Sequence, residues 1–211
     1  MTKLLVVVGS IRPVRAADLV LPWLASRVSA HGGFEVEIAD LRDWALPMFA
    51  EHLGTVGDID DPTCSDPVLR AWNTKVQEAD AFIVITPEYH HSLPGSLKNA
   101  IDSVWPAFGF RNKPVAAVGY SAGIGGGSRA VQHLAQIVIA ADAVPLRSTV
   151  LLPFVQTAFT AAGEPVDRAT DVGLRIMLDD LAWWATALNK ARAEGELAPG
   201  QARMMSALTS A

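Results

Sequence analysis

The sequence has one cysteine, Cys64, in 211 residues. An intramolecular disulfide and CxxC metal or redox motifs are therefore excluded, and a reducing, cytoplasmic setting is expected. Runs of basic charge are missing too. With 17 Lys and Arg against 22 Asp and Glu the net charge is −5, and scattered cations make no groove for nucleic acid. No apolar run approaches a membrane span. The first, Leu4 to Val8, meets Gly9 at once, which is too short even for the apolar part of a signal peptide. What is abundant is core-forming material: half the residues are hydrophobic and 18% are charged, enough for one domain without metals or disulfides. No repeat or low-complexity linker divides the chain. One domain is expected over residues 1–195, followed by a mobile tail over 196–211.

The apolar runs alternate with helical patterns. LLVVV, residues 4–8, is β-branched and unbroken, as expected of a central parallel strand covered on both faces. Residues 15–31 place Leu19, Val20, Trp23, Leu24 and Val28 near helical spacing and stop at His31-Gly32-Gly33. FEVEI, residues 34–38, alternates like an edge strand. After a long connection, Asp66-Pro67 supplies an N-cap and a first-turn proline for a helix. Strands are then expected at 81–86, 115–120 and 146–152, with helices at 96–105, capped by Ser96, at 128–141 and at 166–193. This β-α repeat winds, through right-handed crossovers, into a doubly wound parallel α/β sheet of five strands with helices on both faces. Such sheets bind ligands beyond the carboxyl ends of their strands.

Three strand-to-helix loops carry unusual residues. The first, GSIRPVRAAD, offers a tight exit at Gly9, a hydroxyl at Ser10, helix-start amides, and two cations, Arg12 and Arg15, able to pair with phosphate oxygens. It lacks GxxxxGK[ST] and GxGxxG, so triphosphate and dinucleotide motifs are excluded and a monophosphate remains open. The second, TPEYHHSLPGSLKNAID, holds Tyr89, which can cover a flat ring, between Pro87 and Pro94. His90 and His91 are adjacent, so their side chains diverge and no metal site is expected. A plain turn before an amphipathic helix would read the same way. The third, GYSAGIGGGSRA, falls one residue short of GxGxxG and follows the wrong strand for it. Its small residues suit a backbone that passes close to something flat, or one that is merely flexible.

Together these three loops resemble the NADPH-dependent FMN reductases, over about residues 3–152 and in the same order. The resemblance implies a flavodoxin-like fold with strand order 2-1-3-4-5. It implies FMN as cofactor, its phosphate held by Ser10, Arg12, Arg15, Ala16 and Ala17. Pro87, Glu88, Tyr89 and His90 would border the isoalloxazine, with Ser121, Ala122 and Gly123 on its other side. Members of the family usually carry Asn where this chain has His90, and commonly Gly where it has Val14.

By the same resemblance, NADPH or NADH gives hydride to flavin N5, and a flavin, quinone or other small molecule then takes it, with no amino-acid nucleophile. A homodimer or tetramer is implied, with no nucleic-acid or membrane partner. WPAFGF, residues 105–110, is a candidate wall for an aromatic acceptor or a dimer contact. Two alternatives stand beside this reading. One is an FMN electron carrier without NAD(P)H turnover, which would be expected to be more acidic; the other is a scaffold that has lost FMN.

Overall fold

Side chains alternate along a strand, so an unbroken apolar run needs two covered faces. In the computed structural model, which describes residues 1–52, 66–104 and 109–210, such runs form the middle of one parallel sheet. β1 (Thr2–Val8), β3 (Ala81–Pro87) and β4 (Pro114–Tyr120) lie side by side there. β2 (Phe34–Asp40) and β5 (Val144–Leu152) form the edges, giving the order β2-β1-β3-β4-β5. This is the expected flavodoxin-like arrangement. All seven residues of β3 and of β4 are buried, whereas the middle of β2 is exposed.

The period-two alternation divides the core. Leu4, Val6 and Val8 face α1 (Ala17–His31) and α5 (Arg168–Glu194), packing with Val20, Leu24, Leu174 and Leu181. Leu5, Val7, Phe82 and Val84 face the opposite layer, α2 (Pro67–Glu78), α3 (Gly95–Asp102) and α4 (Ser128–Ala140), through Trp72, Val76, Leu97 and Leu134. Each of these large side chains contributes about 1.5–3 kcal/mol by leaving water.

Helix ends follow local chemistry. Asp66 caps α2 by accepting from the amides of Val68 (2.7 Å) and Leu69 (3.1 Å), with Pro67 behind it. At the other end, Lys113 Nζ donates to the Val76 and Gln77 carbonyls at 3.0 and 2.7 Å, which the helix leaves unpaired. Burial lowers the Lys113 pKa to about 8.

Four expectations are corrected. Ser96 does not cap α3; Pro94 occupies that position, and the Ser96 hydroxyl donates instead to the Gly9 carbonyl at 2.8 Å. β5 begins at Val144, earlier than its apolar run suggests, and the pairing with β4 shifts between Val115 and Ala117. That irregularity accommodates Pro145 on an edge strand. Of the expected tail, residues 196–210 hold defined structure. Glu196 is held by Arg111 (3.1 Å) and by the Asn112 side-chain amide (3.1 Å), and α6 (Gly200–Thr209) follows. Finally, of the suggested wall at 105–110, residues 105–108 lie outside the described residues, and Phe110 is buried against Phe82 with ring centroids 4.9 Å apart. Phe110 is core. Among the described residues no helix is long and apolar enough to cross a membrane.

Candidate functional site

The chain leaves β1, β3 and β4 at one rim of the sheet, and because these strands are neighbours their loops meet. Gly9 donates its amide to the Ile85 carbonyl at 2.9 Å. A side chain there would press on Leu97 Cδ2 (3.0 Å) and the Ile85 carbonyl (3.2 Å), so the close approach requires glycine. The Ser10 hydroxyl, wholly buried, lies 3.0 Å from the Tyr89 hydroxyl. Arg12 is exposed and its guanidinium sits 5.9 Å from the Tyr89 ring centroid, within cation-π range. Tyr89 thus spans from the β3 loop to the β1 loop.

Arg15 has a different part from the one its position suggests. Its side chain is 1% exposed, with Nε on Asp18 at 3.0 Å, Nη1 on Asp40 at 2.8 Å, and further bonds to Asp40 and to the Ser10 carbonyl. Burial opposes its charge, but the hydrogen bonds it donates to Asp40 and Asp18 outweigh burial and raise its pKa. Asp40, which burial alone would push up, is held below the usual carboxylate range by Arg15 and the Arg42 amide. Arg15 therefore ties the end of β2 to the β1 loop from beneath, and all its strong bonds are internal. Above it, Ala16 and Ala17 open α1 with no side-chain cap on the helix. Uncapped amides at a helix start attract an anion.

In the second loop Pro87 is buried at the end of β3, and Glu88 donates its amide to the Tyr120 carbonyl at 3.0 Å. Its carboxylate accepts from the Arg129 amide (3.1 Å) and Nε (2.8 Å). Because α4 has no cap from its own Gly127, Glu88 supplies one across the rim. The Glu88 side chain consequently fastens the second loop to the third. Tyr89 and Ser92 exchange both backbone hydrogen bonds, at 2.8 and 2.9 Å, around His90 (φ 49°) and His91 (φ 64°). Two central residues at positive φ form a type I′ turn, which presents both imidazoles to solvent.

In the third loop the Ser121 amide donates to the Leu152 carbonyl (3.2 Å), and the Ser121 hydroxyl donates to the Gly123 carbonyl (2.9 Å). Ala122 and Gly123 remain exposed. Gly127, at φ 87°, lets α4 start against β4; a Cβ there would meet the Tyr120 amide nitrogen at 2.4 Å.

The rim thus gathers Ser10, Arg12, Ala16, Ala17, Tyr89, His90, Ser121, Ala122 and Gly123, with Pro87, Glu88 and Arg15 acting as its braces. Sequence reading misses Asp40 and Arg129, the partners of two braces, and Tyr120. The register Val8↔Asp40 would have signalled the first. Tyr120 ends β4 with its ring in the core and its hydroxyl fully buried, without a hydrogen-bond partner among the described residues. Burial pushes its pKa up. An uncapped helix start, an exposed arginine and an orphaned hydroxyl facing the same loop fit a phosphorylated ligand.

Comparison with known proteins adds a family. The sequence model described as "NADPH-dependent FMN reductase" matches residues 2–157. An NAD(P)H-dependent FMN reductase of Pseudomonas aeruginosa is 33% identical over 159 residues, covering 74% of this chain and 81% of the relative. A 2-hydroxy-1,4-benzoquinone reductase of a Burkholderia species is 30% identical over 186 residues, 86% of this chain and 95% of that one. Among solved structures, the flavoenzyme NAD(P)H:(acceptor) oxidoreductase FerB of Paracoccus denitrificans superposes with a TM-score of 0.72 at 25% identity, covering 89% of this chain and 98% of that one.

Proposed function

Because this chain belongs to the NADPH-dependent FMN reductase family, we propose that its three rim loops hold FMN in a defined division of labour. The protein is an FMN-dependent NAD(P)H oxidoreductase. When bound, FMN supplies the ring nitrogen, N5, that takes hydride from NAD(P)H and hands it to a small acceptor. The residues of the chain do the rest. Ser10, Arg12 and the amides of Ala16 and Ala17 bind the phosphate, while Arg15, turned inward, keeps their loop in place. Tyr89 and His90 border one side of the ring system, Ser121, Ala122 and Gly123 the other. Pro87 and the Glu88–Arg129 clamp fix the distance between those two loops. Backbone amides along the rim favour negative charge on the pyrimidine side of the ring.

The observation that carries this reading is the meeting, at the ends of β1 and β4, of an uncapped α1 start, exposed Arg12 and the buried Tyr120 hydroxyl, unpaired among the described residues. Homologues named for benzoquinone and quinone reduction support a quinone-class acceptor. We further propose a homodimer in the cytoplasm, the oligomer being read from the family. The deciding experiment is an absorption spectrum of the purified protein with and without NADPH. Yellow protein that bleaches and turns over with a quinone is expected. Yellow protein inert to pyridine nucleotide would instead mean an electron carrier, and protein that ignores added FMN a scaffold. Light scattering that finds a concentration-independent monomer would refute the dimer.

A further inference from the structure

We propose that Tyr120, a core strand residue, is a positioning residue for the phosphate of FMN and acts through Ser10. The inference rests on the flavin reading above and assigns a role to a side chain outside the binding loops.

Tyr120 is paired in register with Pro87 on one side and Leu152 on the other, and its ring packs in the same layer as Ala116 and Val118. For that packing alone phenylalanine would serve as well. The hydroxyl is the anomaly: it is buried, and none of the described residues completes a hydrogen bond with it. Buried tyrosine hydroxyls ordinarily find a partner, and an unmade bond there is a standing cost to the fold.

Its surroundings say what partner is missing. Burial and the neighbouring Tyr89 push its pKa up, while Ser10, Arg15 and the Ala17 amide pull the other way, so these groups surround the hydroxyl. Hydroxyls and an amide around one point make a donor-rich spot, which an anion completes. Ser10 is the connecting atom group. A serine hydroxyl donates one hydrogen bond and accepts two; here it is shared with the Tyr89 hydroxyl at 3.0 Å. When a phosphate oxygen takes the Ser10 proton donation, the Ser10 oxygen can accept from Tyr89 and Tyr120 together. Each accepted bond polarises the Ser10 O–H further toward the phosphate. Tyr120 thereby strengthens a contact that it does not itself make.

The test compares FMN with riboflavin, which lacks the phosphate, on wild type and Tyr120→Phe by fluorescence titration, with melting of the flavin-free proteins alongside. Phenylalanine fills the same volume, so the fold is retained. The expected result is about a tenfold loss of FMN affinity, unchanged riboflavin affinity, and a flavin-free melting temperature no lower than wild type. In a Ser10→Ala background, Tyr120→Phe should have no further effect on FMN. A preference for FMN over riboflavin that stays within twofold of wild type overturns the inference while leaving the flavin site standing. Wild-type protein that binds neither flavin brings down the site reading and this inference with it.

Discussion

The brace under the phosphate loop makes the sharpest energetic prediction. Arg15 is buried, with a side chain 1% exposed, and its main counter-charge, Asp40, is 13% exposed. Removing one partner of a buried ion pair costs about 3–5 kcal/mol, because the remaining charge stays desolvated. Asp18 and the Ser10 carbonyl still contact Arg15, so Asp40→Asn is expected to cost less than this range, about 2–3 kcal/mol. In a chain of this length that lowers the melting temperature by about 5–10 °C. Replacing the whole pair, as in Arg15→Met with Asp40→Leu, leaves no orphaned charge and should cost less than Asp40→Asn alone.

The pH dependence has a definite sign. The Asp40 pKa is held below its ordinary 3.8, so the unfolded chain binds this proton more readily than the folded one. Its contribution is complete above about pH 4 and is lost as pH falls through the folded value. Urea unfolding of wild type and Asp40→Asn from pH 7 down to 3 should therefore show two stability curves that converge at the acid end. A difference below about 0.5 kcal/mol at pH 7, or curves that stay parallel into acid, would refute the reasoning and make Arg15 an ordinary surface cation.

Two further outcomes test other parts of the molecule. Arg12→Ala should weaken FMN binding by about 1.5–3 kcal/mol through lost charge-assisted bonds, with folding stability unaltered; unchanged affinity in a flavin titration removes Arg12 from the phosphate site. Lys113, with its pKa near 8 against 10.5 when free, is protonated more readily in the unfolded chain. Stability should accordingly rise by about 3 kcal/mol in all between pH 8 and 10.5, and comparing wild type with Lys113→Met by urea unfolding at pH 7.5 and 9.5 should show about 2 kcal/mol of that rise. A difference between the two proteins that does not change with pH contradicts it.

The fold was legible because each element carries its own periodicity. Unbroken runs at 4–8 and 81–86 could only be two-face-covered strands, and Asp66-Pro67 announced α2 without tertiary help. The rim loops were legible as loops because glycine and proline punctuate them. Which of their side chains face inward was not, since that depends on partners far along the chain. Arg15 looks like a phosphate ligand until the register of β1 with β2 brings Asp40, 25 positions away, against it. Glu88 looks like a ring neighbour until Arg129, 41 positions away, claims its carboxylate. Ser96 looks like a cap because it follows Pro94-Gly95, yet the nearby Gly9 carbonyl takes its hydroxyl. In each case a long-range charge or hydrogen bond decided between two locally equal roles.

The same distinction between backbone and side chain explains the departure at position 90. His90 and His91 are the central residues of a type I′ turn, both in the left-handed region. Asn-Gly is the preferred pair there, because asparagine tolerates positive φ and glycine meets no penalty. The asparagine usual in the family at this position thus has a sufficient reason in the main chain alone, and histidine, also enriched at positive φ, is a permitted replacement. His90→Asn should then change stability by only a few tenths of a kcal/mol and leave FMN affinity unaltered. His91→Gly should stabilise by about 0.5 kcal/mol, the relief of left-handed strain exceeding the added freedom of the unfolded chain. Urea unfolding and flavin titration of both variants check this. If His90→Asn instead tightens FMN severalfold, asparagine serves the flavin through its side-chain amide, and the turn geometry is not the reason for it.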